Sequence, residues 1–300
     1  MYEHIPVLMP EALEYLQPKT GGHFIDCTLG GGGYTFALAD KVGASGKILA
    51  IDQDELALNN TRAKIKTKKL KNIIVAEGNF KNLKDIVADN VSDAKKFDGI
   101  VFDLGLSSAQ LADEERGFSF QGDRPLNMAF GLDSTVATED IVNNYSLLEL
   151  TRIFREYGEE RQSYYIAKAI VAARHEKRIK TTAELVAIIE QAVPFRFRTR
   201  IHPATKIFQA LRMETNGELD ALIAALPEAV SLLKPGGRLV LVSFHSGEDR
   251  IVKRFFKNTP ELLILTKRPL IPQEEEIIAN PRSRSAKLRA AELRREEREV

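Results

Sequence analysis

The sequence predicts an α/β protein, in which a doubly wound parallel sheet carries an inserted helical domain. Short apolar runs alternate with helical patterns over the first 107 residues, and the alternation returns near the end of the chain. Between these parts, residues 108–212 show no convincing strand pattern. With 44% apolar side chains among its 300 residues, the chain can bury a large core.

The first part of the chain contains four strands and the helices between them. Each strand pattern is rich in Ile, Val, Leu and Phe, is too short for a helix, and is bounded by Gly, Lys or Asp. The strand patterns cover 23–29, 47–53, 72–78 and 97–106, and the helical patterns cover 34–42, 55–69 and 80–90. Strand–helix alternation with short loops predicts a parallel sheet.

Helical patterns fill the middle of the chain. Capping boxes at Ser146–Glu149 and Thr181–Glu184 predict where two of these helices begin. We therefore predict an α/β domain formed by 1–107 and 213–300, and an inserted helical domain, 108–212, that recognises the substrate.

The α/β pattern resumes after this insert. A helical pattern over 219–233 leads to a turn at Pro235–Gly237, a strand over 238–244 and a helix from Ser246. These elements add a fifth strand to the predicted sheet.

Composition and charge exclude several classes of protein. The 43 basic and 42 acidic side chains give a net charge of +1, so a nucleic-acid partner must be recognised by local patches. One cysteine excludes a disulfide framework, and no apolar run approaches the ~18 residues that span a bilayer. The N-terminus, with three glutamates and an early proline, does not resemble a signal peptide. We expect a cytoplasmic protein with no membrane partner and no catalytic metal.

A glycine-rich loop follows the first strand. Four glycines, 30–33, stand at a strand–helix junction, where a ligand can approach the main chain closely. Asp52 ends the second strand, 22 residues after Gly30, where a carboxylate can accept both ribose hydroxyls. That feature fits NAD equally well. Asp26, just before the glycines, would repel a pyrophosphate but favour the cationic S-adenosylmethionine, unless it merely caps the next helix.

Two further strand ends fit an adenosyl pocket. Phe80 follows the third strand and can place an aromatic ring near an adenine. Asp103 ends the fourth strand, closest to the position of a transferred methyl group. Any one of these residues alone is more often structural. Four successive strands that end at or near Asp26, Asp52, Phe80 and Asp103 together favour a cofactor site.

Taken together, these motifs resemble the bacterial S-adenosylmethionine-dependent 16S rRNA cytosine-N4 methyltransferases. The resemblance extends over nearly the whole chain and rests on DCTLGGGGYT (26–35), AIDQDELAL (50–58), DLGLSSAQL (103–111), RGFSF (116–120), GEERQSYYIAKAIVAAR (158–174), HPATKIFQALRMETNGEL (202–219), PGGRLVLVSFHSGEDRIVK (235–253) and NPRSRSAKLRAAE (280–292). It implies a Rossmann-like class I methyltransferase sheet. It also implies that the protein methylates N4 of cytidine 1402, in the decoding centre of 16S rRNA within the small ribosomal subunit.

The resemblance also implies roles for individual residues. Contacts to S-adenosylmethionine fall on Gly32, Gly33, Tyr34, Asp52, Phe80, Asp103 and Gln110. The chemistry of the reaction itself calls for hydrogen-bond acceptors near N4, such as Asp103 or neighbouring carbonyls, so the catalytic candidates are Asp103 and His245. Methylated N4 is strongly acidic, so an ordinary carboxylate with a pKa of ~3.9 can take its proton. A lone histidine such as His245 is more often a hydrogen-bonded structural residue.

Three positions depart from the pattern of the family. Tyr34 replaces the usual histidine, Asn127 replaces an acid, and Ala129 replaces an arginine. The last two changes remove an ion pair that could brace the loop over the active site. The alternative function is therefore that of a non-catalytic ribosome-assembly factor that retains the fold. An NAD-dependent oxidoreductase is disfavoured, because the sequence shows no catalytic base and no small-substrate site beside the glycine-rich loop.

A basic stretch within the insert is the candidate RNA-binding segment. Arg196, Arg198, Arg200 and Lys206 lie in a run without acids, and Phe195 and Phe197 alternate with the arginines. Guanidinium groups suit phosphates and aromatic rings can stack on unpaired bases. A solvated helix boundary with phenylalanines in the core explains the same pattern.

Overall fold

The fold is built around a seven-stranded sheet, seen in a computed structural model that describes residues 6–92, 96–106, 116–120, 122–131, 136–194 and 202–295. The strands are β1 (His23–Asp26), β2 (Lys47–Asp52), β3 (Ile73–Glu77), β4 (Phe97–Asp103), β5 (Leu233–Ser243), β6 (Leu262–Ile264) and β7 (Lys287–Leu293). Their order is β3-β2-β1-β4-β5-β7-β6. The first five pair in parallel, and β7 runs antiparallel to β5 and β6. The predicted Rossmann-like sheet is confirmed.

Twelve helices are found among the described residues. They are α1 (Met9–Leu16), α2 (Gly33–Val42), α3 (Glu55–Lys68), α4 (Leu83–Asn90), α5 (Thr138–Asn144), α6 (Leu147–Glu156), α7 (Ser163–Glu176), α8 (Thr182–Ala192), α9 (Pro203–Asn216), α10 (Glu218–Leu232), α11 (Ser246–Asn258) and α12 (Glu274–Ala279). Both predicted capping boxes are present, at the starts of α6 and α8. Over the described residues, no helix is both long and apolar enough to cross a membrane.

The chain divides into two compact units, one formed by 1–107 with 219–300 and the other by 108–218. Residue 212, the predicted end of the insert, lies inside α9, because that helix continues to Asn216 and ends at Gly217 with a left-handed φ of 57°. The second boundary of the units therefore falls after α9, at Glu218.

The core of the first unit lies on both faces of the sheet, because successive strand residues point to opposite sides. Ile25 and Ile100 belong to one apolar cluster, which α4, α10 and α11 complete. Phe24 and Val101 belong to the other, which α1 and α2 cover. This two-sided burial explains why the strands read as continuous apolar runs.

The turn predicted at 235–237 is wrong. These residues lie within β5, where the pairing with β4 shifts register between Phe97, opposite Leu233, and Gly99, opposite Arg238. Gly236 has a φ of 82°, a conformation that glycine adopts without steric cost. The Pro-Gly-Gly sequence therefore marks an irregularity inside a strand.

In the second unit, the described regular elements are helices. α6 packs against α7, α7 against α8, and α9 against α5, α6 and α8. Fully buried Ile153, Ile166, Ile189 and Ile207 contribute one side chain each from four of these helices.

Candidate active site

The glycine loop is a tight turn between β1 and α2. Gly30 and Gly32 have left-handed φ values of 47° and 82°. A Cβ on Gly32 would lie 2.7 Å from the ring of Phe36, and one on Gly33 would lie 2.0 Å from Pro6 Cγ. These glycines are therefore required by the backbone and by its close neighbours, whatever the loop binds.

Asp52, at the carboxyl end of β2, holds this loop in place. Its Oδ2 accepts a hydrogen bond from the backbone N–H of Gly30 at 2.7 Å, and its Oδ1 accepts one from Asp54 at 2.9 Å. Burial raises the pKa of the carboxyl group from 3.8 to about 6. Because each carboxylate oxygen can accept a second hydrogen bond, Asp52 retains acceptors for the two hydroxyls of a ribose.

Asp26, at the end of β1, is fully buried. Its Oδ2 accepts a hydrogen bond from the Thr35 hydroxyl at 2.6 Å, and its Oδ1 accepts one from the Thr28 N–H at 3.1 Å. Burial raises the pKa of this carboxyl group. Asp26 does not cap the helix that follows, because the N-cap is Gly32 and no side chain caps it; Asp26 instead holds the Thr35 side chain in the first turn, so any effect on a bound cation would be electrostatic.

Asp103 ends β4 and has an unusual environment. Its backbone N–H donates to the Thr28 hydroxyl at 2.6 Å, but its own Oδ1 is buried without a hydrogen-bond partner among the described residues. Burial raises the pKa of Asp103 well above its usual value, and the charges of Asp26 and Glu248 raise it further. A buried acceptor without a donor is costly, so this atom is suited to a ligand that supplies one.

The two predicted aromatic contacts differ in position. Phe80 is half-buried and packs edge-on against Phe102 on β4, with ring centroids 5.5 Å apart. Tyr34 lies in the core with 2% of its surface exposed, and its hydroxyl donates to the Val7 carbonyl at 2.7 Å. Phe80 therefore keeps surface for a ligand, whereas the side chain of Tyr34 supports the fold.

His245 is the N-cap of α11. The backbone N–H of Gly247 donates to its Nδ1 at 3.0 Å, which engages that nitrogen in the helix cap. Glu248 completes the cap, since its Oε2 accepts from the backbone N–H groups of Phe244 and His245. This geometry supports the structural interpretation of His245 and does not favour it as a base.

Two residues of this site were missed from the sequence. Glu248 is 3% exposed and its charge raises the pKa of Asp103. Its position three residues after His245 follows the spacing of a capping box, which was a usable signal. Thr28 joins the ends of β1 and β4 through its hydroxyl, and no sequence pattern identifies that contact.

The candidate RNA-binding residues are only partly described. Arg196, Arg198 and Arg200, like the cofactor candidate Gln110, lie outside the described residues. Lys206 is on α9, where its Nζ donates to the Glu159 carbonyl at 3.0 Å and lies 3.8 Å from Glu160 Oε2. Its charge is therefore partly engaged within the protein.

The loop that contains Asn127 and Ala129 is held without the ion pair of the family pattern. Asn216, at the end of α9, accepts a hydrogen bond from the Phe130 N–H at 2.8 Å and donates to the Met128 carbonyl at 2.8 Å. The Thr138 hydroxyl donates to the Asn127 carbonyl at 2.6 Å. These backbone contacts do not depend on the side chains at 127 and 129.

Across the described residues, no three His, Cys, Asp or Glu side chains form a metal-binding group.

Comparisons with known proteins match this chain over its length. The MraW methylase family pattern covers residues 1–294. The Ribosomal RNA small subunit methyltransferase H of Thermomicrobium roseum is 46% identical over 96% of this chain and 93% of its own length. That of Caldicellulosiruptor saccharolyticus is 45% identical over 97% and 99%, respectively. Among solved structures, an rRNA methylase from Streptococcus thermophilus has a TM-score of 0.45 at 12% identity, covering 96% of this chain and 94% of that one.

Proposed function

The chain belongs to the MraW methylase family, and we propose that it methylates N4 of cytidine 1402 in the decoding centre of 16S rRNA. The coarser activity, methylation of small-subunit rRNA, follows from relatives that are 44–46% identical and are named ribosomal RNA small subunit methyltransferase H. The observation that supports the finer proposal is the buried Oδ1 of Asp103, at the end of the strand next to β1, which has no hydrogen-bond partner among the described residues. Such an acceptor suits an exocyclic amine, which carries N–H donors.

The residues around the loop fit S-adenosylmethionine better than a dinucleotide. Asp52 offers acceptors for ribose hydroxyls, and the ring of Phe80 offers a face for an adenine. Burial raises the pKa of Asp26 and of Asp103, and a bound cation would favour their ionised form, whereas a pyrophosphate would disfavour it. When bound, this cofactor supplies an electrophilic methyl group on a sulfonium.

Alignment is the main task of the protein in this reaction, and it can contribute roughly 7–11 kcal/mol. Asp103 accepts a hydrogen bond from the N4 amine and orients its lone pair towards the methyl carbon. With S-adenosylmethionine bound, its sulfonium would supply the methyl group and keep the electron pair, and Asp103 Oδ1 would take the proton that N4 loses.

The environment of Asp103 makes it a stronger base than the ordinary carboxylate expected from the sequence. Burial, Asp26 and Glu248 all raise its pKa. A bound sulfonium would favour the ionised form of Asp103, which is the form that can accept the proton of N4. His245 acts as a positioning residue, through the helix start that it caps.

Calorimetry and methyl transfer test this function separately. We expect S-adenosylmethionine or its demethylated product to bind and NAD not to bind. We also expect assembled small subunits to be better substrates than an RNA oligomer, because the target lies in folded RNA. Tight binding of NAD would overturn the cofactor assignment. Cofactor binding without transfer to small subunits would favour the non-catalytic assembly factor.

A further inference from the structure

Two exposed tyrosines stand side by side on α7. Tyr164 and Tyr165 are 48% and 62% exposed, and their ring centroids are 5.8 Å apart at an interplanar angle of 78°. The helix buries a different face, through the fully buried Ile166 and Ile170. The two rings therefore contribute little to the core of the unit, and their faces are open to a ligand.

Cations flank the tyrosines along the chain. Lys168 follows Tyr164 by four residues and Tyr165 by three, a spacing that places it on the same side of α7, and Arg161 lies just before the helix begins, three residues before Tyr164. Both are exposed, and neither has an ion pair or hydrogen bond within the described part of the chain. The sequence contains no Asp or Glu from 161 to 175, so no acidic side chain of this stretch offsets the two cations.

Two other exposed cations of this unit, Lys177 and Arg178, differ in that respect. Lys177 lies 2.6 Å from Glu184, and Arg178 lies 2.6 Å from Glu139 and 2.9 Å from Asp140. The cations beside the tyrosines thus keep their full charge for a partner, whereas those at the end of α7 are neutralised within the protein.

We propose that Arg161, Tyr164, Tyr165 and Lys168 form a docking surface for an unpaired segment of the rRNA substrate. Aromatic faces stack on unpaired bases, and guanidinium and ammonium groups contact the phosphates between them. RNA combines a negative backbone with flat, apolar bases, and this surface matches both features. The proposal rests on the proposed function, since it names a contact of the same substrate outside the cofactor site.

Fluorescence anisotropy with a labelled single-stranded oligomer of the decoding-centre sequence tests the stacking. Changing both tyrosines to alanine should weaken binding by about tenfold or more per stacked ring. Changing both to phenylalanine keeps the aromatic faces and should leave affinity within about twofold. The Leu148→Ala variant is the matched control, because Leu148 is 78% exposed in the same unit but carries no ring.

The salt dependence of the same binding tests the phosphate contacts. Arg161→Gln combined with Lys168→Gln should reduce the slope of log affinity against log salt by about 1.4, from about 0.7 per contact on a single strand. Lys177→Gln combined with Arg178→Gln removes the same charge at paired positions and should change the slope less.

Three results would overturn the docking surface. These are alanine variants that bind within twofold of the parent, phenylalanine variants as weak as the alanine variants, and an unchanged salt slope. A loss of slope without any effect of the tyrosines would mean that the face binds acidic groups, such as those of a ribosomal protein, and not RNA bases. Failure of the proposed function is distinct, because it would appear as absent methyl transfer while the RNA affinities still follow the tyrosines.

Discussion

The carboxyl group of Asp52 should make cofactor binding depend on pH. Burial raises its pKa from 3.8 to about 6, even though two backbone N–H groups stabilise the ionised form. Ribose hydroxyls that donate to Asp52 add to that stabilisation, so S-adenosylmethionine should bind the ionised form more tightly. Below pH 6 the carboxyl group of Asp52 is mostly protonated in the free protein. Because binding must release that proton, the affinity for S-adenosylmethionine falls.

The size of this effect follows from the two pKa values. One pH unit below the midpoint, at pH 5, the affinity should fall about tenfold. If the bound ribose returns the pKa of Asp52 to 3.8, the total loss in acid is on the order of 100-fold, which corresponds to roughly 3 kcal/mol. Above about pH 7 Asp52 should contribute no further dependence.

Calorimetric titrations with the demethylated product from pH 5 to pH 7 measure this dependence. Asp103 also titrates with a raised pKa, so the informative quantity is the difference between the parent and Asp52→Asn. The variant should bind more weakly at pH 7 and lose the part of the pH dependence centred near 6.

A nearby carboxyl group provides the control. Asp54→Asn should keep the helix cap, because asparagine caps as well as aspartate. It should also keep the pH dependence, with a slightly lower midpoint, since the charge of Asp54 raises the pKa of Asp52. Parallel profiles for the parent and Asp52→Asn from pH 7 to pH 5 would refute the role of Asp52.

Three further substitutions test other parts of the site. Asp103→Asn should slow methyl transfer to small subunits by about 10²-fold while changing cofactor affinity less; a rate within about twofold of the parent would show that Asp103 is not the proton acceptor. Tyr34→Phe removes the buried hydrogen bond to Val7 and should lower the free energy of unfolding by about 1 kcal/mol in denaturant titrations, whereas a tenfold loss of cofactor affinity would argue for direct contact. His245→Ala removes a helix cap, so it should lower the free energy of unfolding by about 1 kcal/mol and partly slow methyl transfer. His245→Asn should recover both the stability and the rate; recovered stability with a rate that stays low would assign the imidazole a further role.

The strands were predictable because burial on both faces of the sheet requires continuous apolar runs. The parallel arrangement followed from the alternation of strands and helices. The exceptions have local causes: Gly236 allows an irregularity inside β5 where its Pro-Gly-Gly sequence suggested a turn. The predicted end of the insert, residue 212, lies inside α9, which continues to Asn216. A helical pattern in the sequence does not define the last residue of the helix.

The positions of the site residues were easier to predict than their contacts. Asp26, Asp52 and Asp103 end neighbouring strands, so the topology alone brings them to one edge. Side-chain direction decided the rest: Asp26 turns to Thr35, and Tyr34 turns into the core. No spacing rule encodes these tertiary partners.

Mass spectrometry of rRNA nucleosides tests the central claim most directly. Small subunits that lack the modification would be incubated with the protein and S-adenosylmethionine carrying a deuterated methyl group, and their 16S rRNA would be digested to nucleosides and mapped fragments. We expect the label in N4-methylcytidine, in the fragment that contains position 1402, and we expect it to be strongly reduced with Asp103→Asn. Label in another nucleoside or fragment, or no label from a protein that binds the cofactor, would contradict the account.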